Sequence, residues 1–94
     1  MSQLEQQRRE VYYSGRVQGV GFRFTVRAIA SRFAVSGFVR NLPDGRVHLV
    51  VEGSAGEIDR FLDAIQAEMR HYIAAADQTA GPATGRFKAF EIRY

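Results

Sequence analysis

Two stretches of this sequence combine residue types that can handle an anion. The first is Gly15-Arg16-Val17-Gln18-Gly19-Val20-Gly21-Phe22-Arg23, with three glycines in seven residues. Glycine admits backbone conformations that side chains obstruct, so successive N–H groups can turn toward one point. A helix beginning just after them would add free amides and the positive end of its dipole. Arg23 then falls in the first helical turn, with a permanent charge and a planar fork that matches phosphate oxygens. The second stretch is Gly37-Phe38-Val39-Arg40-Asn41-Leu42-Pro43-Asp44-Gly45. Its Asn41 stands just ahead of a tight turn, where a carboxamide can both donate to and accept from a water molecule. Taken alone, Asn41 reads as readily as a turn former, and the glycines as a tight strand-to-helix turn without a ligand.

The elements that must position these residues follow from periodicity. Val11, Tyr12 and Tyr13 predict a first strand over about 10–16, preceded by a flexible tail over residues 1–9. Phe22, Val26, Ile29, Ala30 and Phe33 form one helical face, with Arg27, Ser31 and Arg32 turned away from it. A second strand over 37–42, the turn Pro43-Asp44-Gly45 and a third strand over 46–52 make a hairpin. On the third strand Val47, Leu49 and Val51 alternate with Arg46, His48 and Glu52, so one face is expected buried and His48 exposed. Ser54-Ala55-Gly56-Glu57 matches a capping box, and Ile58, Phe61, Leu62, Ile65 and Met69 form the stripe of a second helix. Residues 71–79 read as an edge strand, 80–86 as loop and 87–94 as a closing strand. The order is β-α-β-β-α-β plus a C-terminal strand. The economical packing is an α+β, ferredoxin-like two-layer sandwich, with two helices on one face of an antiparallel sheet.

Composition narrows the classes. Ninety-four residues make a single domain, here 10–94, and 46% apolar with 24% charged residues is ordinary for a globular chain. The absence of cysteine excludes disulfides and thiolate metal sites, and His48 and His71 are not spaced as metal ligands. The apolar runs are too short to span a bilayer, and the first ten residues lack a signal peptide's apolar segment. The expectation is a cytoplasmic monomer with no membrane association. Twelve of the thirteen basic residues are Arg and the net charge is +3, which suits anion binding.

With both segments in view, Gly15 to Arg23 followed by Gly37-Phe38-Val39-Arg40-Asn41 and Asp44-Gly45-Arg46-Val47 resembles the acylphosphatase family. The resemblance implies metal- and cofactor-free hydrolysis of small-molecule acyl phosphates to a carboxylate and inorganic phosphate, which is both product and inhibitor. It also implies that Arg23 binds phosphate and Asn41 positions the attacking water. The backbone of Gln18, Gly19, Val20, Gly21 and Phe22 would cradle the phosphoryl group. Four departures from the family pattern stand out: Phe38 for a common Trp, Leu42 for a hydroxyl residue, His48 for a common Glu, and a C-terminal quarter in which Met69-Arg70-His71-Tyr72-Ile73 and an alanine run replace the usual Gly-Pro and Val-rich strand.

Two other readings share the element order. One is an RNA-binding module, for which Tyr12 and Tyr13 offer aromatics but the third strand none. The other is a catalytically weak acylphosphatase-like domain of the kind found within larger proteins.

Overall fold

The computed structural model describes residues 5–94. Seven elements run β1 (Gln6–Gly15), α1 (Phe22–Ala30), β2 (Val35–Asn41), β3 (Val47–Ser54), α2 (Ala55–Met69), β4 (Ile73–Pro82) and β5 (Phe90–Arg93). The strands form one sheet in the order β4-β1-β3-β2-β5. Val26 and Ile29 of α1, and Ile58, Phe61 and Ile65 of α2, join Val11, Val39, Leu49 and Val51 of the sheet in a single buried cluster. Both helices therefore cover the same face, as their apolar stripes require.

The sheet departs from the antiparallel arrangement expected of it: β5 pairs parallel with β2, so the sheet is mixed. The cause lies in the path of the chain. β4 pairs with the outer side of β1, at the opposite edge from β2, so the connection over 83–89 must cross the sheet before β5 can add. β1 also begins at Gln6 rather than Glu10, its first residues pairing with the end of β3 (Gln6 opposite Ser54, Arg9 opposite Val51). The expected tail is thus strand over 6–9, and residues 1–4 lie outside the described ones. α1 stops at Ala30 because Arg32 and Phe33 donate to Ile29 and Ala30 three residues back, tightening the last turn. β4 continues through Pro82, shortening the expected loop.

The capping box forms only in half. Ser54 Oγ accepts from Glu57 N–H at 3.4 Å, but the Glu57 carboxylate takes the Ala34 N–H at 2.7 Å instead of returning to the cap. It thereby pins the chain entering β2 to the start of α2.

The face away from the helices is buried too, which overturns the expectation of an exposed His48. His48 is only 5% accessible, stacked on Tyr12 with ring centroids 4.5 Å apart, and its Nδ1 accepts from Arg40 Nε at 3.1 Å. Burial, which disfavours the charged ring, lowers the His48 pKa from its usual value. Phe38 packs edge-on to the same ring with centroids 5.7 Å apart, and the 83–89 crossing lies over that ring's neighbours on this face. Glu52, in the central strand, accepts from Thr84 N–H, Thr84 Oγ1 and Gly85 N–H at 2.8–3.0 Å, and Phe87 packs 5.9 Å from Phe38.

Glu52 is therefore the anchor of the crossing. Burial alone would raise its carboxyl pKa; the bonds from Thr84 and Gly85 and the nearby Arg8 outweigh it and hold the value below 4.5. A folded-state value below the unfolded one means that the stabilisation is complete above about pH 4.5 and is lost as pH falls through the folded value. Glu52→Ala is expected to cost about 2–4 kcal/mol at neutral pH, since two backbone donors lose a charged acceptor. Urea unfolding from pH 7 down to pH 3 should show the gap between parent and variant closing as the acid arm is reached.

Candidate active site

The glycine stretch forms the link from β1 to α1. Val17 and Phe22 are buried at its two ends, Phe22 against Tyr13 with ring centroids 5.3 Å apart, so the loop hangs between two fixed points. Its entry is tied by Arg16 N–H to Tyr72 O at 2.9 Å. Between these anchors Gly19 and Gly21 adopt φ of 78° and 75°, a left-handed conformation that side chains resist by roughly 1–2 kcal/mol. Gly21 is also the N-cap of α1. Among the described residues none accepts a hydrogen bond from the backbone N–H groups of Gly19 to Arg23. Five donors are thus presented at a helix N-terminus, where the dipole adds positive potential.

Asn41 reaches the same place from the other side of the sheet's end. It is the last residue of β2, opposite Val47, and the turn beyond it closes by Leu42 N–H to Arg46 O at 2.8 Å. Asp44 Oδ1 accepts from Arg46 N–H within that turn, as its chemistry predicts. Gln18 joins the two segments: its Nε2 donates to Leu42 O at 2.8 Å and to Arg46 O at 2.9 Å. Only its backbone features in the sequence reading, yet its side chain couples the loop to the hairpin that carries Asn41.

Arg23 and Asn41 line one pocket of about 110 Å³, together with Val17, Gly19, Gly21, Phe22 and Phe24. Among the five loop residues singled out from sequence, Gly19, Gly21 and Phe22 line it directly; Val20 lies between two that do, and Gln18 braces the loop from behind. The Arg23 guanidinium lies over the Tyr94 ring, 4.8 Å from its centroid, and Nη1 donates to Arg93 O at 3.3 Å. A face turned to the ring leaves edge N–H groups for an anion. Asn41 Oδ1 is buried and accepts no hydrogen bond from any described residue.

Three neighbours escaped the sequence reading. Phe24 lies off the apolar stripe of α1, and an aromatic displaced in that way is the signal that could have found it. Arg93 and Tyr94 carry no such mark, because their approach to Arg23 depends on where β5 joins the sheet.

The tyrosines on which an RNA-binding reading rested are both engaged. Tyr13 is buried in the helix-side core, and Tyr12 lies between His48 and the Arg46 guanidinium, 4.7 Å from its ring centroid. Among the described residues no group of three or more His, Asp or Glu could hold a metal ion, and no helix is long and apolar enough to cross a membrane.

Fold and pocket together define a small α+β protein with a glycine-rich loop of unpaired backbone amides at its first strand–helix junction. The family model for acylphosphatase matches residues 9–92, and the chain belongs to that family. An acylphosphatase of Rubrobacter xylanophilus is 44% identical over 93 residues, covering 98% of this chain and 84% of that one. An acylphosphatase of Archaeoglobus fulgidus is 35% identical over 85 residues, covering 90% and 96%. The crystal structure of acylphosphatase from Bacillus subtilis superposes with a TM-score of 0.84 at 28% identity, over 94% of this chain and 99% of that one.

Proposed function

We propose that this protein hydrolyses acyl phosphates by direct attack of water on phosphorus, with Arg23 and the 18–22 backbone holding the phosphoryl group and Asn41 aligning the water. Phosphoryl transfer asks a protein for positioning and charge stabilisation more than for covalent work. The loop N–H groups and the Arg23 fork neutralise the equatorial oxygens as charge spreads over them. Asn41 fixes the water on the side opposite the carboxylate. The water oxygen bonds to phosphorus while the bond to the carboxylate oxygen breaks. The carboxylate departs with the electron pair, and the water's proton passes to a phosphoryl oxygen of the substrate itself.

The observation that carries this reading is the meeting at one pocket of Arg23, Asn41 and the unpaired amides of Gly19, Gly21 and Phe22. A carboxylate is a good leaving group, so weak activation of the water suffices. His48, committed to Arg40 and Tyr12, is not needed as a base. The reading extends to a monomer acting in the cytoplasm without metal, cofactor, nucleic acid or membrane. Purified protein is expected to hydrolyse benzoyl phosphate at the same rate with and without a chelator, with inorganic phosphate as a competitive inhibitor. Failure to turn over any acyl phosphate would leave the alternative of a catalytically weak domain of the same fold.

A further inference from the structure

Among the described residues three large apolar side chains stand exposed: Val20 at 38%, Phe24 at 63% and Tyr94 at 93%. All three border the anion pocket. Phe24 lines it, Val20 lies between the lining glycines 19 and 21, and Tyr94 lies against Arg23. Single exposed apolar residues need no explanation, but their gathering around one opening does. The pocket adds a constraint of size. At about 110 Å³ it is far below the roughly 300–1,000 Å³ of sites that enclose a whole organic ligand. It therefore takes the phosphoryl group and leaves the remainder of the substrate outside, lying across the rim.

We infer that this rim is an acyl-binding surface, and that the protein selects acyl phosphates with an extended apolar acyl group over short or polar ones. The inference rests on the reading of the pocket as an acyl phosphate site and specifies its substrate class. Apolar contact strengthens with each methylene withdrawn from water, by up to about fourfold in equilibrium constant for full burial. On an open rim, where one side of the chain stays wet, about twofold per methylene is the expectation. No charged group of the substrate beyond the phosphoryl is needed to explain the rim.

The test is kcat/KM across acetyl, butanoyl and hexanoyl phosphate. Their carboxylate leaving groups have nearly equal basicity, so a gradient reports contact rather than bond strength. From acetyl to hexanoyl, four methylenes, a rise of about 15-fold is expected, chiefly in KM. In Phe24→Ser the hexanoyl-to-acetyl ratio should fall to about threefold or less. Any change in the inhibition constant of inorganic phosphate, which carries no acyl group, should be smaller than the change in that ratio. Phe24→Leu, which keeps an apolar surface, should restore most of the gradient. Hydrolysis of none of the series overturns the activity itself. Hydrolysis of all three at one kcat/KM, or a gradient unchanged in Phe24→Ser, overturns the acyl-binding rim alone. A flat series with a Phe24-dependent dimer in sedimentation also overturns it and gives the rim to a second copy of the chain.

Discussion

Arg23→Ala is expected to lower kcat/KM for benzoyl phosphate by about 10³-fold or more, the range seen when a single arginine is withdrawn from phosphoryl transfer. The loss has two parts. In the ground state, one charge-assisted fork leaves the pocket, so the inhibition constant of inorganic phosphate should rise about 10- to 100-fold. In the transition state the oxygens carry more charge, and a fixed cation counts for more there than against the bound substrate, so kcat falls as well. Arg23→Lys should recover part of the phosphate affinity but little of the rate, because an ammonium supplies charge without the planar fork.

The fold should scarcely notice either change. The Arg23 side chain is half-buried, and its contacts are one 3.3 Å bond to Arg93 O and the face of the Tyr94 ring. A cost below about 1 kcal/mol is expected in urea unfolding. Parent-like phosphate inhibition in a folded Arg23→Ala protein would remove Arg23 from the site.

Much of this arrangement could be read from sequence, and the parts that could not have a common physical origin. α1 and α2 each carry one apolar stripe, and a stripe declares both the helix and the face it buries. The β2–β3 hairpin is written in Pro43-Asp44-Gly45, whose bonds are local. Arg23 and Asn41 were legible because each lies at an element boundary marked by glycine or by a turn, and the family resemblance joined the two. The direction of β5 was not legible, since strand pairing at an edge depends on the route over 83–89 rather than on the residues of β5. The burial of His48 was not legible for a related reason: its cover is Tyr12 of β1 and Phe38 and Arg40 of β2, which only the pairing of both strands with β3 brings around the ring. β4 sits nearly all exposed at the sheet edge, with backbone pairing to β1 as its main tie. An alanine run there lacks any apolar alternation to announce it. Gln18 shows a subtler limit, because nothing in a glutamine beside two glycines reveals which carbonyls its amide will reach.

Asn41→Ala should separate chemistry from binding. If Asn41 aligns the water and touches nothing else in the ground state, kcat should fall about 10²–10³-fold, as for other single preorganised groups, while inhibition by inorganic phosphate stays within about twofold. Stability offers a second, independent readout. Asn41 Oδ1 is buried with no donor among the described residues, an arrangement that costs about 1–3 kcal/mol relative to a paired acceptor. Alanine at that position removes the unpaired oxygen along with some packing. The variant should therefore unfold at the same urea concentration as the parent or slightly higher, the direction in which active-site residues depart from structural ones. A structural asparagine would behave oppositely, losing stability and activity together. An Asn41→Ala protein that hydrolyses benzoyl phosphate at the parent rate would show that the water is held by another group. In that case the coupling of loop to hairpin through Gln18 would serve the phosphate cradle alone.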